Sequence, residues 1–142
     1  DVALASKVRV GKCLMLGREM DRFPIPLEDP HLFTENPDRV RYIAEDPLSL
    51  RHLTARFMFE SRRLDGLARD AAGGVRVPTL LCLAGRDRII DNEATRRLVY
   101  GMASRKRVRV YEEAHHTLEF EPDPTGYFAD LLAWITAFEP PV

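Results

Sequence analysis

The chain has 142 residues, the size of one ordinary domain, and is long enough to bury a core. Apolar residues make up 45% and charged residues 30%, which excludes a disordered chain, and no apolar run approaches the roughly 20 residues that a membrane-crossing helix needs. With 21 basic against 22 acidic residues the net charge is −1, so nothing global points to nucleic acid as a partner.

Residues 1–75 read as helices separated by proline-rich turns. The opening "DVALASKVRVGK" has none of the ordered regions of a signal peptide, and it begins without an initiator Met, as expected of a piece of a longer protein. "SKVRVGKCLMLGRE" is a short, partly apolar helix. Lys7, Arg9, Lys12 and Arg18 around it would permit weak contact with a membrane surface, against the plainer reading of a helix packed on the body. "RFPIPLEDPHLFTENP" is extended and turn-rich, because Pro24, Pro26 and Pro30 are excluded from a helix interior. Asn36 before Pro37 is an N-cap and first-turn signal for a short helix through Val40 and Ile43. Asp46 before Pro47 repeats the signal for a longer helix, along which Leu50, Leu53, Phe57, Leu64 and Leu67 recur at helical spacing. Its Arg51, Arg56, Arg62, Arg63 and Arg69 are interspersed with Glu60, Asp65 and Asp70, which reads as a solvated face rather than a phosphate site. Gly73 and Gly74 end it.

From residue 76 the pattern changes to alternating strand and helix. "VPTLLCLAG" is a continuous apolar run of strand length, as for a strand buried on both faces. Asp91 or Asn92 can cap a helix over "EATRRLVYGMAS". Val108 and Val110 alternate with Arg107, Arg109 and Tyr111, a half-buried strand. Thr125 or Asp123 can start a last helix with Phe128, Leu131, Ile135 and Phe138 on one face. Strand, helix, strand, helix is the signature of a parallel unit and places the chain in the α/β class. Cys13 and Cys82 are too few and too scattered for a disulfide framework or a zinc site, which fits a cytoplasmic setting.

Two loops, each after a strand, carry titratable groups: Asp87 and Asp91 in the first, His115, His116, Glu119 and Glu121 in the second. If the strands are parallel neighbours, both loops leave the same edge of the sheet, where such folds hold reactive groups. A carboxylate there can accept a hydrogen bond from an imidazole Nδ1–H and fix its tautomer. Acid, then histidine, is the order of the second and third members of a serine-hydrolase triad. Asp91 stands before "NEATRR" and reads better as a helix cap. The spacing of His115, His116, Glu119 and Glu121 matches no zinc pattern, and Glu121 is expected to face solvent or help cap the last helix. His115 reads as a packing or hydrogen-bonding neighbour, and His31 and His52 as surface or cap residues.

"PTLLCLAGRDRIIDN", followed by "YEEAHHTLEFEPD" and "FADLLAWI", resembles the C-terminal part of α/β-hydrolases of the monoacylglycerol lipase and lysophospholipase group. The resemblance implies Asp87 as triad acid, in the Asp-Arg loop after the penultimate strand, and His116 as triad base after the last strand. "FPIPLEDPHLFTENPDRVRYIAEDPLSLRHLT" resembles the inserted helical cap of the same family, which implies a cap over residues 1–75 and the end of the hydrolase core over 76–142. Leu32, Phe33, Phe57 and Phe59 are then candidates to contact an acyl chain, with core packing as the alternative for each. The implied substrate is a carboxylic ester such as a monoacylglycerol or lysophospholipid, with no cofactor and no metal.

The family's nucleophile sits in Gly-x-Ser-x-Gly, and none of Ser6, Ser49, Ser61 and Ser104 has that setting. The expectation is therefore a C-terminal hydrolase portion that supplies acid and base, lacks the nucleophile, and is inactive alone. A two-stranded sheet leaves apolar faces and an edge open, which predicts self-association through strand pairing or exchange. Two other readings stand beside this one: a non-catalytic interaction module of hydrolase ancestry, and the same part of a serine aminopeptidase.

Overall fold

The computed structural model describes residues 4–137, with side chains from residue 8 onward. In chain order the elements are α1 (Leu4–Met15), β1 (Arg22–Pro24), α2 (Pro37–Glu45), β2 (His52–Thr54), α3 (Ala55–Ala71), β3 (Thr79–Ala84), α4 (Asn92–Tyr100), β4 (Lys106–Tyr111) and α5 (Thr125–Thr136). Short 3₁₀ turns occur at Pro30–Leu32, Ala72–Gly74 and Leu118–Phe120. Phe138 and the side chain of Lys7, which enter the expectations above, lie outside the described residues. The chain divides into two compact units, one of Asp1–Glu28 with Pro47–Ala71, the other of Asp29–Asp46 with Ala72–Val142.

In the first unit β1 and β2 pair antiparallel, Phe23 opposite Leu53, and α1 packs on α3. The buried centre is Val10, Phe23 and Ala55, with Cys13, Leu14 and Met58 against it. The longer helix starts later than Asp46–Pro47 suggests. Asp46 is extended (φ −67°, ψ 111°) and ends α2 instead of opening α3. Residues 52–54 are drawn into pairing with β1, and the first amides of α3 find other acceptors. The Ala55 and Arg56 N–H groups donate to the carbonyls of Asp21 and Glu19, at 3.0 and 2.9 Å, and the Phe57 N–H donates to Thr54 Oγ1 at 3.1 Å. The side chains of α3 in the buried centre are Ala55 and Met58, whereas Phe57, Leu64 and Leu67 of the expected apolar stripe are exposed.

In the second unit β3 and β4 pair in parallel, Thr79 opposite Lys106 through Ala84 opposite Tyr111. Leu83 and Ala84 are buried, but Leu80 and Leu81 are only half-buried, since β4 is the one strand beside β3 among the described residues. Along β4, Val108 and Val110 are half-buried while Arg107 and Arg109 are exposed, as the alternation predicts. Asp91 caps α4, its Oδ1 accepting the Ala94 N–H at 2.9 Å, and Asn92 Nδ2 donates to the Ala84 carbonyl at 2.8 Å. Asp130 of α5 accepts from Tyr111 Oη at 3.0 Å and pairs with Arg109 Nε at 3.1 Å, which ties α5 to β4. Ala84, Ala114 and Leu118 form the core under the strand ends.

Residues 29–46 belong to this second unit, so the compact units do not follow the division at residue 75. Thr34 is completely buried, and its hydroxyl donates to the Phe120 carbonyl at 3.1 Å. The Phe33 carbonyl accepts the Thr117 N–H at 2.9 Å, and the His31 carbonyl accepts Arg88 Nη2 at 2.7 Å. Asn36 caps α2 as its sequence signal predicts, accepting the Asp38 N–H at 3.2 Å.

Beyond the strand ends the ladder continues for one step, the Gly85 N–H donating to the Tyr111 carbonyl at 2.8 Å. A Cβ on Gly85 would lie 2.3 Å from the Glu112 carbonyl oxygen and 2.5 Å from its Cα, both backbone atoms that cannot swing aside. Gly85→Ala is therefore expected to destabilise the chain by about 3 kcal/mol or more, a severe overpacking cost. A urea midpoint within error of the wild type would contradict this.

Candidate active site

Because Ala84 and Tyr111 are register partners, the loops that follow them start at one level and run side by side. The Arg86 N–H donates to the Ala114 carbonyl at 2.9 Å, and the Arg86 guanidinium pairs with Glu113, so the two loops are joined through backbone and side chain. This brings Asp87 and His116 together. His116 Nδ1 lies 2.9 Å from Asp87 Oδ2.

Asp87 is held from the other side by its own turn. Its Oδ1 accepts the N–H groups of Ile89 at 2.8 Å and Ile90 at 2.9 Å. Burial, with the side chain only 7% exposed, works to raise its pKa. The Ile90 amide, the His116 imidazole and the Ile89 amide outweigh it and hold the carboxyl below the ordinary carboxylate value. An ionised carboxylate can only accept, so Nδ1 of His116 carries the proton in this pair. The imidazole of His116 is 29% exposed, and the Phe33 ring meets it edge-on at 5.8 Å between centroids.

The neighbouring histidine is differently placed. His115 is 9% exposed at its side chain and lies 3.2 Å through Nδ1 from Glu121 Oε1, which also accepts the His115 backbone N–H at 2.9 Å. Glu35 Oε1 is 3.9 Å from His115 Nε2, and Glu35 Oε2 is 3.6 Å from His31 Nδ1. Glu121 thus does not face solvent: its side chain is 15% exposed and is turned back onto the loop. Its role, and that of the buried Thr34, left no local signal in the sequence, since both depend on partners brought in by the fold.

Of the apolar candidates, Phe33 stands against His116 and Leu32 is half-buried in the adjoining 3₁₀ turn. Phe57 and Phe59 are on α3 in the other unit, both substantially exposed. Among the described residues no three His, Cys, Asp or Glu groups are arranged to hold a metal ion, and no helix is long and apolar enough to cross a membrane.

A model of the family described as serine aminopeptidase, S33, matches residues 4–123. The chain belongs to this family. Its fold is α/β, that of the α/β-hydrolases, as two solved structures show. The monoacylglycerol lipase of Paleococcus ferrophilus superimposes with a TM-score of 0.76 at 24% identity, over 93% of this chain and 52% of its own. A soluble variant of the monoglyceride lipase from Saccharomyces cerevisiae, solved with a substrate analog, gives 0.77 at 17% identity, over 97% of this chain and 48% of its own. The S33 chain described here spans about half the length of these solved relatives. Comparison with curated proteins finds no match.

The state of Asp87 has a consequence for stability. A folded pKa below the ordinary value of about 3.9 makes a contribution that is complete above that value and lost as pH falls through the lower, folded one. The advantage of the wild type over Asp87→Asn is expected to hold down to about pH 4 and to shrink below it. Urea midpoints of both proteins from about pH 6 to about pH 2 test this, and an undiminished gap at the acid end would refute it.

Proposed function

We propose that this S33 chain supplies the acid and base of a serine-hydrolase triad, Asp87 and His116, to a nucleophile carried on polypeptide outside residues 1–142. The observation that carries the reading is the 2.9 Å contact between Asp87 Oδ2 and His116 Nδ1 at the joined ends of two parallel strands. With Nδ1 committed to an anionic carboxylate, Nε2 is the nitrogen that takes and returns a proton. In the proposed reaction a serine oxygen attacks the acyl carbonyl while His116 Nε2 accepts its proton. The same nitrogen protonates the leaving alcohol, and a water molecule, deprotonated in turn, releases the acid from the serine. Asp87 keeps the ring in the required tautomer and stabilises the imidazolium.

The proposed substrate is a carboxylic ester with an apolar acyl group, of the monoacylglycerol or lysophospholipid kind. Phe33 beside the base supports an acyl contact there, and Leu32, Phe57 and Phe59 join the proposal as further acyl contacts. The family description favours a second reading, an amide substrate with a free amino end, since the same triad chemistry cleaves both bonds. Residues 1–75 as a cap, a cytoplasmic setting, loose membrane contact through α1 and self-association of the isolated chain belong to the proposal as well. Half-buried Leu80 and Leu81 on β3 and exposed Phe128, Leu132 and Ile135 on α5 support the last of these.

The test has two arms. A fluorophosphonate probe is expected to leave the 142-residue chain unlabelled, and labelling at one of its serines would overturn the division of the triad. In the protein read from the complete reading frame, Asp87→Asn and His116→Ala are each expected to lower kcat/KM by about 10⁴, the scale of removing a triad member. Acylglycerol esters and amino-acid amides, assayed side by side, separate the two substrate classes.

A further inference from the structure

Each of the two adjacent histidines has its own carboxylate at Nδ1, and only one of these pairs is accounted for by the proposed chemistry. The other is made of His115, almost closed to solvent, and Glu121, a carboxylate 15% exposed that receives two hydrogen bonds from one residue. A charge this sheltered is unfavourable unless it is bonded, so the arrangement is specific rather than incidental. Its place in the chain gives it a task. Around His116 the backbone is anchored at the Ala114 carbonyl by the Arg86 N–H, at the His115 N–H by Glu121, and at the Thr117 N–H by the Phe33 carbonyl. The first and third anchors join backbone to backbone, and the second comes from a side chain. It holds the N–H side of the Ala114–His115 peptide, whose carbonyl Arg86 already holds, and together with the Nδ1 bond it fixes His115, the residue from which the chain leaves for His116.

We propose that Glu121 is a positioning residue for the base: by accepting both the backbone N–H and the Nδ1–H of His115, it sets the loop so that the His116 imidazole meets Asp87. The inference rests on the Asp87–His116 reading given above. Glu35, which faces His115 Nε2 at 3.9 Å and is itself more than half exposed, is not part of the anchor. The interaction needs an acceptor at the end of a side chain of this length. Gln offers one and Ala does not.

The experiment is ¹⁵N imidazole spectroscopy of the 142-residue chain as wild type, Glu121→Gln and Glu121→Ala. The wild type is expected to hold the Nδ1-protonated tautomer at His116, with the proton shifted downfield by its bond to Asp87. The Gln variant is expected to keep that signature. The Ala variant is expected to lose it and average between tautomers, while the amide signals of β4 and α5 stay in place. A signature unchanged in the Ala variant overturns the proposal, and one lost equally in both variants does so too. If the wild type lacks it, the Asp87–His116 reading fails first and takes this inference with it. Should the Ala variant not fold, amide exchange in the wild type decides: protection of His115 by about 10²-fold over the exposed Glu113 supports the anchor, and equal rates overturn it.

Discussion

The parallel register of β3 and β4 is the constraint on which the candidate site depends. Side chains alternate along a strand, so a slip of one residue would turn every side chain of one strand to the opposite face. With Ala84 opposite Tyr111, the residues that follow are Gly85 and Glu112, and their backbones approach so closely that only a residue without Cβ fits. From that point the first loop needs two more residues to reach Asp87 and the second needs four to reach His116. Both side chains come from turns that are themselves bonded, so their meeting follows from the ladder and is not left to flexible loops.

The two histidines illustrate how environment separates identical side chains. Both have a carboxylate at Nδ1, at 2.9 Å for His116 and 3.2 Å for His115. The carboxylate of Asp87 is buried, yet backbone donors from Ile89 and Ile90 keep it ionised, so it can direct a neighbouring imidazole. What distinguishes the rings is access. At 29% exposure the His116 side chain is open to solvent, whereas that of His115, at 9%, is almost closed to it. A pair of adjacent histidines in a sequence is ambiguous between these settings until the burial of each is known.

Much of this arrangement is legible in the sequence. The continuous apolar run of β3, the alternation of β4 and the caps at Asn36 and Asp91 are local signals, and local structure obeys them. An acid and a histidine each following a strand narrows the pair to Asp87 or Asp91 and His115 or His116, and the resemblance to the monoacylglycerol lipase and lysophospholipase group singles out Asp87 and His116. Asp46 before Pro47 misled because that signal competes with strand pairing: residues 52–54 pair with β1 and α3 opens on the hydroxyl of Thr54. Glu121 and Thr34 depart from the sequence reading for a different reason. Thr34 meets a distant backbone carbonyl, which carries no residue identity, and Glu121 reaches the backbone N–H and ring of His115 only because the 3₁₀ turn between them folds it back.

The hydrogen bonds and the aromatic contact that shape the pair are made by residues 33 and 84–121, within the second compact unit. Its geometry therefore rests on short-range hydrogen bonds and one tight backbone approach more than on a large core: among the described residues the buried cluster beside the loops is Ala84, Ala114 and Leu118. The apolar surfaces of β3 and α5 stay partly open beside it. Asp87, His116 and the residues that bond or touch them, Ile89, Ile90 and Phe33, all lie in this unit, so the geometry of the pair is set within it and owes nothing to Phe57 and Phe59, which belong to the other.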